Sequence, residues 1–246
     1  MPTEPAARRP LKSRDLPFFK NLAAALARGG ATPNGISFAS IVFGGCAGAA
    51  LAATAHSEGW LLRACWLGAA VGIQLRLGAN LLDGMVAVEG RKGGPTGELW
   101  NEAPDRISDA AIFIGAGYAA GSAPALGWAA ALVAVFVAYV RALGASVGAG
   151  QCFLGPQAKP HRMALLTLLA VAGAIFPEAV TGHWDRTLSG SELTLHLQDT
   201  YYVVSSVGVQ MTVVSFALWL VILGCIVTAW RRLAFIADFL RKKSHP

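Results

Sequence analysis

The chain has 246 residues, of which 54% are hydrophobic and only 14% charged, a composition typical of polytopic membrane proteins and not of soluble domains. The formal net charge of +6 does not indicate nucleic-acid binding, because the basic residues flank apolar segments instead of lining a polar face. The four cysteines are scattered without a C-x-x-C pair, so we expect free thiols and neither disulfides nor a cysteine metal site.

The first 30 residues are basic and lack the apolar core and cleavage site of a secretory signal. Within them, residues 16–28 alternate apolar and basic positions at helical spacing. This pattern predicts an amphipathic helix that lies in the membrane interface, with apolar side chains such as Phe18 and Phe19 in contact with lipid. Residues 1–30 are therefore predicted to form an N-terminal segment with an interfacial helix.

Six apolar segments follow, and each is near the length of about 20 helical residues that crosses a hydrocarbon core of roughly 30 Å. They cover residues 34–55, 60–82, 106–122, 126–147, 162–180 and 209–230. Three glycines of the first segment, Gly44, Gly45 and Gly48, are expected to permit close helix packing. Trp66 in the second segment is expected near the outer interface. The predicted fold of residues 31–230 is an all-α membrane domain with six transmembrane helices.

Basic residues are distributed unequally between the two sides of these spans. With both termini inside, the outer segments carry only Arg63 and Arg186, so the positive-inside rule places the termini and residues 80–109 in the cytoplasm. Residues 231–246 then form a basic cytoplasmic tail. Residues 181–208 are the least membrane-like internal segment, and their alternating pattern predicts a small hairpin or an ordered external loop.

Polar residues are concentrated where the second span ends and the third begins. Asn80 and Asp83 form a first row, and Gly97, Asn101, Asp105 and Asp109 form a second row. Spacings of three and four put the members of each row on one helix face. Carboxylate and amide oxygens in facing rows are ligands that a hard divalent cation prefers, so the two rows together predict a cation site.

The same stretch resembles the signature of the CDP-alcohol phosphatidyltransferase family, which reads D-x2-D-G-x2-A-R-x8-G-x3-D-x3-D. Asp83, Gly84 and Ala87 match its first half, Gly97 has the required offset, and Asp105 occupies the fourth acidic position. Thr32-Pro33-Asn34 is similar to the family's T-P-N-x-[IL] motif. The form N-x2-D-G…G-x3-N-E-x2-D resembles a divergent bacterial branch of the family.

The resemblance implies a six-helix membrane core that transfers a phosphatidyl group from CDP-diacylglycerol to an alcohol acceptor and releases CMP. It also implies Mg²⁺ or Mn²⁺ as the cofactor, a homodimer, and a location in the bacterial inner membrane with the active site on the cytoplasmic side. The motif itself does not identify the alcohol, since acceptors such as glycerol phosphate and inositol phosphate both occur in the family.

Family roles are carried over residue by residue. The metal ligands would be Asn80, Asp83, Asn101 and Asp105, with Asp83 and Asp105 as the catalytic residues. Nucleotide binding would fall to Gly84, Ala87, Gly97 and Arg91, and acceptor binding to Arg141, Lys159 and Arg162. Three positions depart from the signature, because Asn80 and Asn101 replace aspartates and Val88 replaces the arginine. Glu89, Glu102 and Asp109 are candidates to compensate for the lost negative charge.

Other interpretations of these residues stay open. The glycines can serve helix packing, and the basic residues can serve as positive-inside anchors. Arg76 lies within the second span, where a charge is costly, so we expect it to pair with an acid or to line a cavity. Two other functions also remain: a non-catalytic protein that binds CDP-lipid or nucleotide, and a small transporter or channel, although no inverted repeat is apparent.

Overall fold

The structure is a computed structural model that describes residues 16–89, 96–182, 194–197, 200–203 and 212–244. Within these ranges the helices are α1 (Pro17–Arg28), α2 (Pro33–Ala53), α3 (Gly59–Glu89), α4 (Gly97–Gly117), α5 (Pro124–Ser146), α6 (Lys159–Ile175), α7 (Pro177–Thr181) and α8 (Val213–Ser244). A 3-10 turn, Thr54–His56, follows α2, and two short strands, β1 (Thr194–Leu197) and β2 (Thr200–Val203), precede α8.

Four helical segments among the described residues are long and apolar enough to cross a membrane. They are Pro33–His56, Gly59–Val88, Pro124–Ser146 and Val213–Lys243. The predicted spans 106–122 and 162–180 fall on α4 and α6, which do not meet this criterion. Helix α4 carries charged residues over its first half, and α6 has 17 residues, which at 1.5 Å per residue reach only about 25 Å. The described chain is thus a helical membrane protein with four candidate spans.

Helix α2 lies against both α3 and α4, and its small residues set how close α4 approaches. A Cβ atom added to Gly44 would lie 2.7 Å from the Ser108 Cβ, and one added to Gly48 would lie 2.9 Å from the Ala111 carbonyl carbon. A Cβ on Gly45 would meet nothing within 4 Å. Two of the three predicted packing glycines therefore serve that role, and the contact holds α4 against α2.

We expect Gly48→Ala to destabilise the protein by about 1–3 kcal/mol, the usual cost of overpacking, because the Ala111 backbone cannot move aside as a side chain would. Gly45→Ala is the matched control, and its stability should stay the same or rise slightly through higher helix propensity. Thermal unfolding of both variants in detergent, followed by tryptophan fluorescence, makes the comparison. Equal unfolding temperatures for the two variants would contradict the assigned α2–α4 contact.

Trp66 belongs to the core of the bundle. This side chain is fully buried and packs against Gly173 of α6, where an added Cβ would overlap the indole ring. The indole is buried because the missing side chain of Gly173 leaves a space that it fills, and its depth near the outer interface stays a prediction. Trp60, six residues earlier on α3, is 78% exposed.

The N-terminal helix and the ends of the bundle follow the predicted segments. Thr32 caps α2 by accepting a hydrogen bond from the Gly35 amide at 3.1 Å, and Pro33 is the first residue of the helix. Helix α1 packs Ala23 against Leu82 and Val86 of α3, which fixes it beside the end of α3. Its placement in the membrane interface stays a prediction.

The predicted loop 181–208 and the predicted basic tail from residue 231 both contain regular secondary structure. Strands β1 and β2 pair antiparallel within the predicted loop 181–208, so a hairpin is present there. The segment predicted as a basic tail from residue 231 continues α8 as far as Ser244. Arg232 in this segment is buried, and its guanidinium donates to the carbonyl oxygens of Val137 at 2.9 Å and Leu154 at 3.0 Å.

Candidate active site

Asp83 lies on α3 in the row predicted from the sequence, and its side chain faces the interior of the bundle. The residue is 4% exposed, and its carboxylate accepts a hydrogen bond from the Ser37 hydroxyl at 2.8 Å. The backbone amide of Gly84 donates to the other carboxylate oxygen. Both donors are neutral, and within the described part of the chain no basic side chain forms an ion pair with Asp83. Its negative charge is the one in this cluster without a direct cationic partner.

Asp105, on α4, has three partners. Its Oδ1 accepts from the Asn80 amide at 2.7 Å and from the Arg76 guanidinium at 3.1 Å. Its Oδ2 accepts from the Lys159 ammonium in a close ion pair. The hydrogen bond between Asn80 and Asp105 joins the two predicted rows directly, so the facing arrangement of α3 and α4 inferred from spacing is present in the structure.

Arg76 connects the two aspartates of α4 from inside the second span. The side chain is fully buried, and one guanidinium nitrogen lies 3.1 Å from Asp105 and 2.6 Å from Asp109. Arg162 of α6 lies 3.6 Å from the other oxygen of Asp109 and donates to the Cys225 sulfur at 3.5 Å. Charges buried within a span are costly unless they are paired, and here acidic and basic groups alternate.

Lys159 is the first residue of α6 and reaches the polar rows of α3 and α4. Its Nζ donates to the Asn80 carbonyl oxygen at 3.1 Å as well as to Asp105. Burial lowers the pKa of the Lys159 ammonium from its usual value, while the Asp105 carboxylate opposes that shift. A cation at the N-terminus of a helix is also disfavoured by the helix dipole. The Asp105 carboxylate offsets both costs.

Glu102 lies apart from this cluster and has basic partners of its own. Arg141 contacts its two carboxylate oxygens at 2.6 and 2.7 Å, and Arg106 pairs with it one helical turn away. The Arg141 guanidinium also lies 5.9 Å above the Phe153 ring. Two guanidinium groups therefore face the carboxylate that was expected to compensate for missing charge at the cation site.

The structure describes several of the predicted site residues only in part. Arg91 lies outside the described residues, as do the side chains of Glu89 and Asn101. An added Cβ would meet nothing within 4 Å at Gly84 or at Gly97, so neither glycine is needed for contact with a neighbouring helix in the described chain. Space beside these two backbones is what a bound nucleotide requires. Ala87 is half-buried and Val88 is 66% exposed.

The sequence indicated Arg76 as an interior charge and Asp109 as a compensating acid, but it missed Ser37. Ser37 is a polar residue in an otherwise apolar first span, and it also donates to the Pro33 carbonyl oxygen one turn earlier. Such back-bonding is the common role of serine in a membrane helix, so the sequence carried no signal for its long-range bond to Asp83. The structure brings the two together because α2 packs along α3.

The fit of a divalent cation can be judged from these contacts. Within the described residues no group of three or more acidic, histidine or cysteine side chains is arranged to hold a metal ion. Asp83 offers a buried carboxylate without a cationic partner, which suits a hard cation. Both oxygens of Asp105 already accept from cationic groups. The described donor set therefore fits a single divalent cation at Asp83 better than a pair of cations.

No protein-family model matches the sequence, and no curated protein matches it significantly. Three solved structures of phosphatidylinositol phosphate synthase from Mycobacterium tuberculosis are similar in fold. The complex with manganese and citrate has a TM-score of 0.63 at 17% identity, over 89% of this chain and 88% of that one. The form with CDP-DAG bound has a TM-score of 0.63 at 18% identity, over 90% and 94%. The apo form has a TM-score of 0.59 at 18% identity, over 88% and 94%. The chain therefore has the fold of this phosphatidylinositol phosphate synthase.

Proposed function

We propose that the protein is a CDP-alcohol phosphatidyltransferase, which moves a phosphatidyl group from CDP-diacylglycerol to an alcohol and releases CMP. The observation that carries the proposal is the hydrogen bond that the Asn80 amide, one helical turn before the buried Asp83 on α3, donates to the buried Asp105 on α4. The signature spacing, the shared fold and the CDP-DAG bound to the similar synthase support it. No comparable argument favours a transporter or a channel.

The finer parts of the proposal concern the membrane and the assembly. Six spans are proposed, with α4 and α6 completing a bundle in which four helices are apolar enough to span the membrane on their own. The excess of basic residues on one side supports an orientation with both termini and the site facing the cytoplasm, and the bacterial inner membrane is proposed on the family resemblance. A homodimer is part of the proposal on the family resemblance alone.

The reaction requires few protein groups. The acceptor hydroxyl oxygen attacks the phosphorus of the phosphatidyl group, and the bond from that phosphorus to the CMP oxygen breaks. The hydroxyl proton passes to the Asp105 carboxylate, and the bond electrons leave with CMP. Asp83 would hold Mg²⁺ or Mn²⁺, with Asn80, Asn101 and Asp105 as the other predicted ligands, and the bound cation would neutralise charge on the diphosphate. Gly84, Ala87, Gly97 and Arg91 are the proposed nucleotide contacts.

The acceptor is proposed to be a phosphorylated polyol, such as glycerol phosphate or inositol phosphate, bound by Arg141, Lys159 and Arg162. Each of the three faces a carboxylate in the structure. The pair between Arg141 and Glu102 is the easiest to exchange, because the Glu102 side chain is 47% exposed whereas Arg162 and Asp109 are buried. An acceptor phosphate is therefore proposed to displace Glu102 from Arg141.

The purified full-length protein in detergent, given labelled CDP-diacylglycerol and Mg²⁺ or Mn²⁺, is expected to release CMP when the right alcohol is present. A panel of polyols with and without a phosphate identifies the acceptor, and removal of the cation with EDTA should stop release. If no alcohol yields CMP, and Asp105→Asn leaves the cellular lipids unchanged, the proposed transfer is wrong. Calorimetric binding of CDP-lipid without metal or turnover would then favour the non-catalytic protein.

A further inference from the structure

We propose that the Lys159 ammonium is a built-in cation of the site, so that the protein binds one divalent cation, at Asp83, and not two. The inference rests on the proposed function insofar as both concern the same cluster. It comes from the contacts of Lys159, which occupy oxygens that a second cation would need.

The Lys159 ammonium lies between the two facing rows. Lys159 Nζ lies 3.1 Å from the Asn80 carbonyl oxygen and forms a close ion pair with Asp105 Oδ2. The two oxygens come from the two facing rows, so the ammonium bridges α3 and α4 as a metal ion would. The remaining Asp105 oxygen accepts from Arg76 and from the Asn80 amide. No oxygen of Asp105 is left without a donor.

Positive and negative charges within the described cluster are equal in number. The described cluster contains three carboxylates and three basic groups. They are Asp83, Asp105 and Asp109, and Arg76, Lys159 and Arg162. Ion pairs among the described residues involve every member except Asp83. A dication beside Asp105 would lie against an ammonium and a guanidinium, whereas one beside Asp83 meets a carboxylate that has only neutral donors.

The Asn80 side chain forms two hydrogen bonds, one as a donor and one as an acceptor. Asn80 donates through its nitrogen to Asp105 and accepts through its oxygen from Lys159. An ionised carboxylate can only accept hydrogen bonds, so an aspartate at position 80 would place a negative oxygen against the negative oxygen of Asp105. The asparagine is therefore fitted to a lysine–aspartate pair, and its presence follows from the built-in cation. This gives a physical reason for the departure from the signature at this position.

The number of bound cations tests the inference directly. Mn²⁺ is titrated into the purified full-length protein, and free Mn²⁺ is measured by electron paramagnetic resonance. Wild type is expected to bind one Mn²⁺ per chain, and the double variant Lys159→Met/Asn80→Asp is expected to bind two. Lys242→Met, which removes an exposed lysine near the end of α8, is the matched control and should bind one. Two Mn²⁺ or none in wild type would overturn the inference.

Folding of the double variant is checked by gel filtration and thermal unfolding. Asn80→Asp alone provides a second test, because Lys159 is then retained to pair with the new carboxylate and the count should stay at one. A second Mn²⁺ in this single variant, or a count of one in a folded double variant, contradicts the built-in cation. CMP release with two Mn²⁺ in wild type would leave the proposed function intact while this inference fails. One Mn²⁺ in wild type and two in the double variant, without CMP release, would support this inference while the proposed function fails.

Discussion

Replacing Asp83 with asparagine is expected to slow CMP release by about 100- to 1,000-fold, the usual effect of removing one group that stabilises charge in a transition state. Asp83 is buried, and it is the carboxylate of the cluster with only neutral donors among the described residues. The asparagine retains an oxygen for the Ser37 hydroxyl, so the protein should remain folded. The rate is measured at saturating Mg²⁺ and CDP-diacylglycerol with the acceptor that the panel identifies.

The matched control is Asp238→Asn, which removes an exposed carboxylate paired with Arg241 near the end of α8. Its rate should equal that of wild type, because exposed ion pairs of this kind contribute little. If Asp83→Asn retains most of the wild-type rate while the control also does, Asp83 does not hold the cation or act in the reaction. The site would then have to be sought elsewhere in the bundle.

Arg76→Met is expected to destabilise the protein by about 3–5 kcal/mol, the usual cost of removing one partner from a buried ion pair. The guanidinium is fully buried and lies between Asp105 and Asp109, so its loss leaves two carboxylates with less compensation inside the bundle. Thermal and denaturant unfolding in one detergent measure the change. The exposed Arg241→Met variant, which removes the partner of Asp238, should unfold like wild type.

A second substitution tests whether the loss at Arg76 is electrostatic. Arg76→Met/Asp109→Asn removes one positive and one negative charge, and Asp105 still has Lys159 as a partner. This double variant should recover part of the lost stability. A double variant less stable than Arg76→Met would contradict this expectation and would show that Asp109 contributes more as the partner of Arg162 than it costs beside the lost Arg76.

Much of the fold and part of the site were predictable from local pattern. Segments of apolar residues gave the positions of the helices, and the spacing of three and four placed Asp83 and Asp105 on facing rows. Arg76 was expected to pair with an acid because an isolated charge within a span is costly, and it pairs with two. These predictions succeeded because each depends on a property of one segment, either the spacing of a row along one helix or the cost of a charge within one span.

Features that depend on contacts between distant segments were not predictable in this way. Lys159 was expected only at the acceptor, yet it contacts Asn80, 79 residues earlier in the chain, because α6 packs beside α3. The burial of Trp66 depends on the glycine opposite it in α6. Composition also could not separate the four strongly apolar helices from α4 and α6, whose place in the bundle is set by their neighbours.

The fate of the diacylglycerol label tests phosphatidyl transfer most directly. CDP-diacylglycerol carrying one label in an acyl chain and another in the cytidine is incubated with the purified protein, Mg²⁺ and the accepted alcohol. Phosphatidyl transfer predicts that CMP and a new phospholipid containing the acyl label appear in equal amounts. Bound but unchanged CDP-diacylglycerol, or CMP formed together with phosphatidic acid and no new phospholipid, would contradict it.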